Sequence, residues 1–330
     1  MALVVAALLA GCGGSDGGAG GGDALRNVPA DGGLREQVGA AAAPAKTDFP
    51  AVKGRSLQQL AGTMSAGPQV GLAGSDYVLG RDRLAFGVID PAGKFLYGKT
   101  AVYIAPTPDA RARGPYPAPA DVLVTDPPFR SRQAATETDL FAAVYGADVP
   151  FPKAGRWSVL VATHSGGKLL GAASQVQVKT PAQDQIPAVG QAAPRVATDT
   201  LASARGDESA IDTRQPPAPD LHRESFADVV GRKPVALLFA TPQLCQSRVC
   251  GPVTDIALQM RAKYGDRMTF IHQEVYVDNN PAKGLREPLR RFHLRSEPWL
   301  FVVDRRGRIT ARLEGSFGVK TFERAIDTAL

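Results

Sequence analysis

The chain has 330 residues, 38 Lys and Arg against 32 Asp and Glu, 44% hydrophobic residues, 35 glycines, 26 prolines and three cysteines. That length suggests two domains, and the apolar share is enough for packed cores, which excludes a wholly disordered or collagen-like chain. Three cysteines are too few for a disulfide-framed scaffold, and an odd number leaves one thiol without an internal partner, so their positions carry the functional question.

The first ten residues are apolar throughout and run into Leu9-Ala10-Gly11-Cys12 and a Gly-rich stretch. A run this short falls below the roughly 20 residues that a spanning helix needs. It reads as the end of a secretory signal, with small residues before a cleavage point. Leu9-Ala10-Gly11-Cys12 resembles the bacterial lipobox, which implies residues 1–12 as a lipoprotein signal with a lipidated Cys12. The protein would then sit on the outer face of the cytoplasmic membrane. The alternatives are an ordinary signal peptide or a free Cys12. No Lys or Arg precedes the run, which points to a translation start further upstream. Residues 13–47 carry Gly, Ala, Asp and Pro with almost no aromatic side chains, and this composition predicts a flexible tether spanning roughly 30 to 35 Å.

Residues 48–180 show short β segments separated by turn signals. Leu84, Phe86 and Val88 recur at spacing two. Trp157, Val159 and Val161 alternate with Ser158, Leu160 and Ala162, and Leu169, Val176 and Val178 follow the turn Ser165-Gly166-Gly167. That pattern predicts a hairpin with one buried face. Several such strands with Pro-rich connections predict an antiparallel β-sandwich of immunoglobulin-like type. His164 and Met64 are the region's only histidine and methionine, and it has no cysteine, so it lacks the ligands of a copper-binding cupredoxin. It reads as a spacer or docking module. Residues 181–225, with Gln215-Pro216-Pro217-Ala218-Pro219, predict a semi-extended linker in which Ile211 and Leu221 are isolated anchors.

From 226 to 330 strands and helices alternate. Pro234 to Ala240 is a continuous apolar run, as in a strand buried on both faces. Pro252 suits a first helical turn, and Ile256, Met260 and Tyr264 form an apolar stripe ending at Gly265. A strand over Met268 to Val277, a helix through Leu285, Leu289 and Phe292, strands at Trp299 to Val303 and Ile309 to Leu313, and a helix from Phe322 to Leu330 complete the order β-α-β-α-β-β-α. That order is the core of an α/β thioredoxin-like fold.

The loop from Phe239 through Cys245 and Cys250 to Pro252, with Glu297-Pro298-Trp299 before a strand, resembles the membrane-tethered extracytoplasmic thioredoxins of bacteria, the TlpA and ResA type. The likeness covers about the last third of the chain. It implies a thiol-disulfide oxidoreductase in which Pro298 is the cis-proline facing the cysteines. The spacing departs from the family, with four residues between Cys245 and Cys250 where thioredoxins have two. Cys245 falls near the first family cysteine, while Cys250-Gly251-Pro252 reproduces the familiar Cys-Gly-Pro turn and places Val253 where the second cysteine belongs. Either Cys245 attacks and Cys250 resolves, or the reverse. The helix dipole at Cys250 favours the reverse, whereas Glu297 near the thiols favours their protonated form. A permanent disulfide that staples the loop is the non-catalytic alternative.

Copper-delivering proteins of the Sco type share this fold. On that alternative Cys245 and Cys250 would bind copper with a distant histidine, either His272 in the second strand or His293 at a helix end. Absent copper, the reading calls for no cofactor. Its partners would be extracytoplasmic protein or small-molecule thiols and disulfides, and the membrane through Cys12, with no nucleic acid. A non-catalytic scaffold remains the third possibility. Arg286, Arg290, Arg291 and Arg295, near Arg305, Arg306 and Arg308 in sequence, would suit an acidic partner or anionic headgroups, or simply a solvated helix face.

Overall fold

The computed structural model describes residues 24–136 and 141–330. Cys12 and the Gly-rich stretch after it lie outside the described residues. Nine strands occupy the first half: β1 (Gln69–Leu72), β2 (Tyr77–Val78), β3 (Gly80–Ile89), β4 (Thr100–Ala105), β5 (Arg113–Pro117), β6 (Ala120–Val122), β7 (Ala143–Phe151), β8 (Gly155–Ser165) and β9 (Lys168–Lys179). They form a four-stranded sheet in the order β1-β3-β7-β6 and a five-stranded sheet in the order β2-β9-β8-β4-β5. Every pairing is antiparallel except the short one between β2 and β9.

The β8–β9 hairpin turns through Gly166 and Gly167, both at positive φ, between the paired residues Ser165 and Lys168. Two left-handed residues match the twist of the flanking strands, and glycine supplies them without a Cβ clash. Trp157, Val159 and Val161 face the interior between the sheets. The opposite face, expected to be solvated, is buried as well: Leu160 and Ala162 pack with Phe49, Leu57 and Leu60. The cover includes the short helix α2 (Leu57–Ala61), N-capped by Ser56, whose hydroxyl accepts from the Gln59 N–H while the Gln59 side chain accepts from the Ser56 N–H. That reciprocal pairing satisfies two of the donors a helix start leaves open.

The segment 24–47, expected as flexible tether, is folded. It holds α1 (Leu34–Ala41) and buries Val28, Val38 and Ala41. The Arg35 Nε donates to the Val28 carbonyl at 2.8 Å, and the Asn27 amide donates to Asp126 at 2.6 Å. A few apolar side chains at helical spacing outweigh a composition that resembles a coil.

The C-terminal part begins with α3 (Phe226–Val229) and β10 (Val235–Phe239), followed by α4 (Cys250–Tyr264), β11 (Thr269–Gln273), α5 (Glu287–Arg291), β12 (Trp299–Val303), β13 (Ile309–Glu314) and α6 (Val319–Asp327). The strand order is β11-β10-β12-β13, with β10 parallel to β11 and the other pairs antiparallel. Alternate residues of β10 serve the two faces. Ala236 and Leu238 pack with Val253, Ile256 and Met260 of α4 and Phe322 and Ile326 of α6. Leu237 and Phe239 pack with Phe226, Leu289 and Phe292. A central parallel pair extended by an antiparallel hairpin, with helices on both faces, is the thioredoxin-like arrangement.

The two halves share a core, since the sandwich interior and the α4 face of the C-terminal sheet belong to one hydrophobic cluster. Polar clamps close the seam. Asp121 of β6 accepts the backbone N–H groups of Gly318, Lys320 and Thr321 at 3.2, 3.1 and 2.8 Å, capping α6 from outside its own domain. Glu314 accepts from the Ser75 and Asp76 N–H groups at 2.8 and 2.7 Å.

Residues 181–225 are not a free linker either. Ile186, Val196, Ile211 and Leu221 are buried, and the Gly190 and Ala193 N–H groups donate to the Ile309 and Gly307 carbonyls. Arg214, 3% exposed at its side chain, places Nε 2.8 Å from Asp255 of α4. Its other nitrogens donate to the carbonyls of Pro216 and Phe129 at 2.6 and 2.7 Å. Burial pushes Asp255 up to about 6 even with Arg214 beside it. The apolar anchors and buried polar partners together repay the ordering of a Pro-rich strap.

Candidate functional site

β10 ends at Phe239, and the chain folds two consecutive turns before α4. The Cys245 N–H donates to the Thr241 carbonyl at 3.0 Å, and the Arg248 N–H donates to the Cys245 carbonyl at 3.2 Å. Arg248, at φ 59°, takes the left-handed conformation that reverses the chain. The extra residues are absorbed in this second turn, so Cys250 is the first residue of α4 and Pro252 sits in the first helical turn, where its missing N–H costs nothing.

The two thiols occupy different environments. Cys245 is 8% exposed and borders a cavity of about 270 Å³ lined by Phe95, Gln133, Phe141, Pro242 and Gln243. Cys250 is fully buried. The cover comes from the sandwich: a Cβ added to Gly251 would lie 2.3 Å from the Gln133 carbonyl, so only glycine lets the loop approach the helix this closely.

Both cysteines are free. The Cys250 thiol donates to Cys245 and is the largest influence on it. Burial opposes that bond, while the Ser247 hydroxyl, 3.2 Å from Sγ, adds to it, and the Cys245 thiol settles at about 6. Burial, then the neighbouring Cys245, pushes Cys250 well above its ordinary value. The helix-dipole preference for a Cys250 thiolate is therefore reversed. Proximity to the helix start is outweighed by desolvation from a sandwich loop more than a hundred residues earlier in the chain.

The Glu297–Pro298 bond is cis. Phe239 pairs with Trp299 across β10 and β12, so Pro298 lies one step beyond that pair, beside the start of the cysteine loop. Burial, and then the charges of Cys245 and Glu274, push Glu297 up to about 7.

The copper set of Cys245, Cys250 and His272 does not assemble. His272, fully buried, turns Nε2 to the Ala240 carbonyl at 3.0 Å and Nδ1 to His222 at 3.3 Å. Among the described residues the only group of three metal-binding side chains within ligand distance is Asp212, His222 and His272. Burial holds His272 below its ordinary value, which keeps the imidazole neutral. His293 is exposed, in a left-handed turn after α5. Of the arginines, Arg286 pairs with Asp199 at 2.7 Å and Arg308 donates to the Gly190 carbonyl at 2.8 Å, so both hold the strap, while Arg290, Arg291, Arg295, Arg305 and Arg306 are exposed.

Residues outside the sequence reading complete the site. Thr213 of the strap donates its hydroxyl to Glu274 at 2.5 Å and accepts the Gln243 N–H at 3.1 Å, tying the cysteine loop to β11. The single signal for this in the sequence is Ile211, an apolar anchor two residues before Thr213.

No family model and no curated protein matches the chain. Several solved structures are similar to part of it. The thiol:disulfide interchange protein DsbE from Chlorobium tepidum has 17% identity over 43% of this chain and 98% of its own, with a TM-score of 0.31. A thioredoxin family thiol:disulfide interchange protein from Chlorobium tepidum TLS has 19% identity over 43% and 97%, with a TM-score of 0.28. A thioredoxin-like superfamily protein has 15% identity over 32% and 84%, with a TM-score of 0.24. What makes the C-terminal part thioredoxin-like is its own strand order, with paired cysteines at the β10–α4 turn beside a cis-proline. Among the described residues no helix is long and apolar enough to cross a membrane.

Proposed function

We propose that the protein is a thiol-disulfide oxidoreductase of the tethered TlpA and ResA type, in which Cys245 attacks, Cys250 resolves and Pro298 shapes the substrate groove. The observation that carries this reading is the asymmetry of the pair: Cys245 borders a cavity with its thiol at about 6, while Cys250 is buried and held protonated. Thiolate is the attacking species, and access decides which sulfur meets a substrate.

The Cys245 thiolate attacks one sulfur of a substrate disulfide. A mixed disulfide forms, and the other substrate sulfur leaves as thiolate. Cys250 then loses its proton and attacks Cys245 Sγ, forming the Cys245–Cys250 disulfide and releasing the second substrate thiol. Two electrons pass from the cysteine pair to the substrate, and the reverse sequence oxidises a dithiol. Glu297 precedes the cis-proline and its charge is among the influences that raise the Cys250 thiol, which makes it the candidate acceptor for the Cys250 proton. Extracytoplasmic protein or small-molecule thiols are the partners. The lipobox at Leu9-Ala10-Gly11-Cys12 supports attachment through lipid on Cys12, and the sandwich, read as immunoglobulin-like, serves to roof the site.

Disulfide exchange with insulin or an aromatic disulfide tests the proposal. Cys245→Ser abolishes exchange, and Cys250→Ser accumulates a mixed disulfide on Cys245 that mass spectrometry detects. Exchange at the wild-type rate in both variants refutes it.

A further inference from the structure

Two histidines and an aspartate converge in the interior below the cysteine loop. His272 is on β11, His222 ends the 3-10 turn Pro219–Leu221, and Asp212 follows the turn Glu208–Ala210. All three are buried, at 0%, 1% and 2% exposure. The facing atoms are 3.3 Å apart from His272 Nδ1 to His222 Nε2, 3.4 Å from His222 Nε2 to Asp212 Oδ2, and 3.6 Å from His272 Nδ1 to Asp212 Oδ1. A tetrahedral ion with bonds of about 2.0–2.1 Å to nitrogen and oxygen sets its ligand atoms about 3.3–3.4 Å apart. These three separations are near the one such an ion imposes, with His222 facing one carboxylate oxygen of Asp212 and His272 facing the other.

The surrounding hydrogen bonds set the ligands' protonation. A carbonyl only accepts, so His272 donates its Nε2–H to Ala240, which leaves a lone pair on Nδ1 aimed into the triangle. Asp212 accepts the Arg214 N–H on Oδ1 at 2.9 Å and the Ala218 N–H on Oδ2 at 2.7 Å, so its carboxylate is fixed with one oxygen toward each imidazole. Fixing ligands through their outer atoms is the usual second layer of a metal centre. His222 Nδ1 has no partner.

We infer that Asp212, His222 and His272 form a closed structural site for a divalent ion of zinc type, with two imidazole nitrogens and a carboxylate able to offer both oxygens. Imidazole with carboxylate suits Zn²⁺ and its spectroscopic substitute Co²⁺. Two of the three ligands lie on the strap and one on β11, so the ion staples residues 212–222 to the sheet. Through Ala240 and Thr213 the staple also supports the loop that carries Cys245. The site is separate from the redox pair and does not depend on the function proposed for it.

The test is Co²⁺ and Zn²⁺ uptake by the full chain refolded with the metal, since the site is closed. The parent protein is His164→Gln/His293→Asn, which removes the other two histidines outside the cluster and leaves His222 and His272 in place. The expected result is one equivalent per chain, a tetrahedral Co²⁺ visible spectrum without a thiolate-to-cobalt band, and two imidazoles per ion in X-ray absorption. Asp212→Asn and His222→Gln should weaken uptake at least about 100-fold, the upper end of what the loss of an outer-layer partner costs. No uptake by the parent, a thiolate band, or fewer than two imidazoles overturns the inference, whether or not the cluster variants fold.

Discussion

The thiol asymmetry makes a quantitative prediction about Cys250→Ala. In the wild type the Cys250 thiol is the first of the influences that bring Cys245 from 9.0 to about 6. Three units correspond to about 4 kcal/mol of thiolate stabilisation. At pH 7 the wild-type Cys245 is then about nine-tenths thiolate, against about one-hundredth for an unperturbed thiol. Removing the donor leaves Ser247 and the backbone N–H groups of Ser247 and residue 250, so the midpoint should rise by at least about one unit, to about 7 or above. The sign follows from the reactive form: alkylation grows as pH rises through the midpoint, and the Cys250→Ala curve moves to higher pH. At pH 6 the variant should react at least about fivefold more slowly, because its thiolate fraction falls from about one-half to about one-tenth or below. Iodoacetamide labelling of the reduced protein from pH 4 to pH 10, with peptide mass spectrometry at Cys245, reads both midpoints. A Cys250→Ala midpoint that stays at about 6 refutes the hydrogen-bond explanation, and a wild-type midpoint above about 8 refutes the assignment of Cys245 as the thiolate.

Glu297→Gln should slow the resolving step by about 100-fold and remove the rate increase near pH 7, while leaving mixed-disulfide formation close to wild type; single-turnover kinetics separate the two steps. Arg214→Met should cost about 3–5 kcal/mol in urea unfolding, because it leaves Asp255 buried without its cation, and Arg214→Met/Asp255→Leu should restore part of that loss, since Ser131 then lacks its acceptor. Gly251→Ala should destabilise by about 1–3 kcal/mol, since the new methyl meets the Gln133 carbonyl, and denaturant midpoints will show it.

The sequence showed most clearly what is local and periodic. The run Pro234 to Ala240, the stripe Ile256-Met260-Tyr264 and the strands at Trp299 and Ile309 all correspond to strands or helices of the C-terminal part, because burial on two faces or one stripe writes itself into consecutive residues. The expected strand Met268 to Val277 ends at Gln273, where Glu274 leaves the ladder to accept from Thr213. The Gly166-Gly167 hairpin was legible for the same local reason. Composition misled in the two segments with fewest apolar residues. Ile186 and Val196 are too widely spaced to form a pattern, and Val28 and Val38 stand among glycines, alanines and polar residues, yet each is buried. Asp212, Thr213 and Arg214 are polar and read as solvated, and nothing local indicates that Glu274, Asp255 and the two histidines wait for them in the interior.

The same division explains why the sequence places Cys245 and Cys250 on one loop but carries no sign of the difference in burial between them. Their common loop, and the proline at the start of the neighbouring strand, are features of one domain. The burial that separates them comes from the other domain, through Gln133 against Gly251 and Ser131 against Asp255. Had α4 begun in solvent, its dipole and free N–H groups would have favoured a Cys250 thiolate. Roofed by the sandwich, Cys250 has no water to stabilise its charge and gives its proton to a hydrogen bond with Cys245 instead. The two added residues between the cysteines therefore carry a physical consequence. They build a second turn that leaves Cys245 at the cavity while Cys250 stays beneath the roof, and the sandwich thereby sets which sulfur carries the charge.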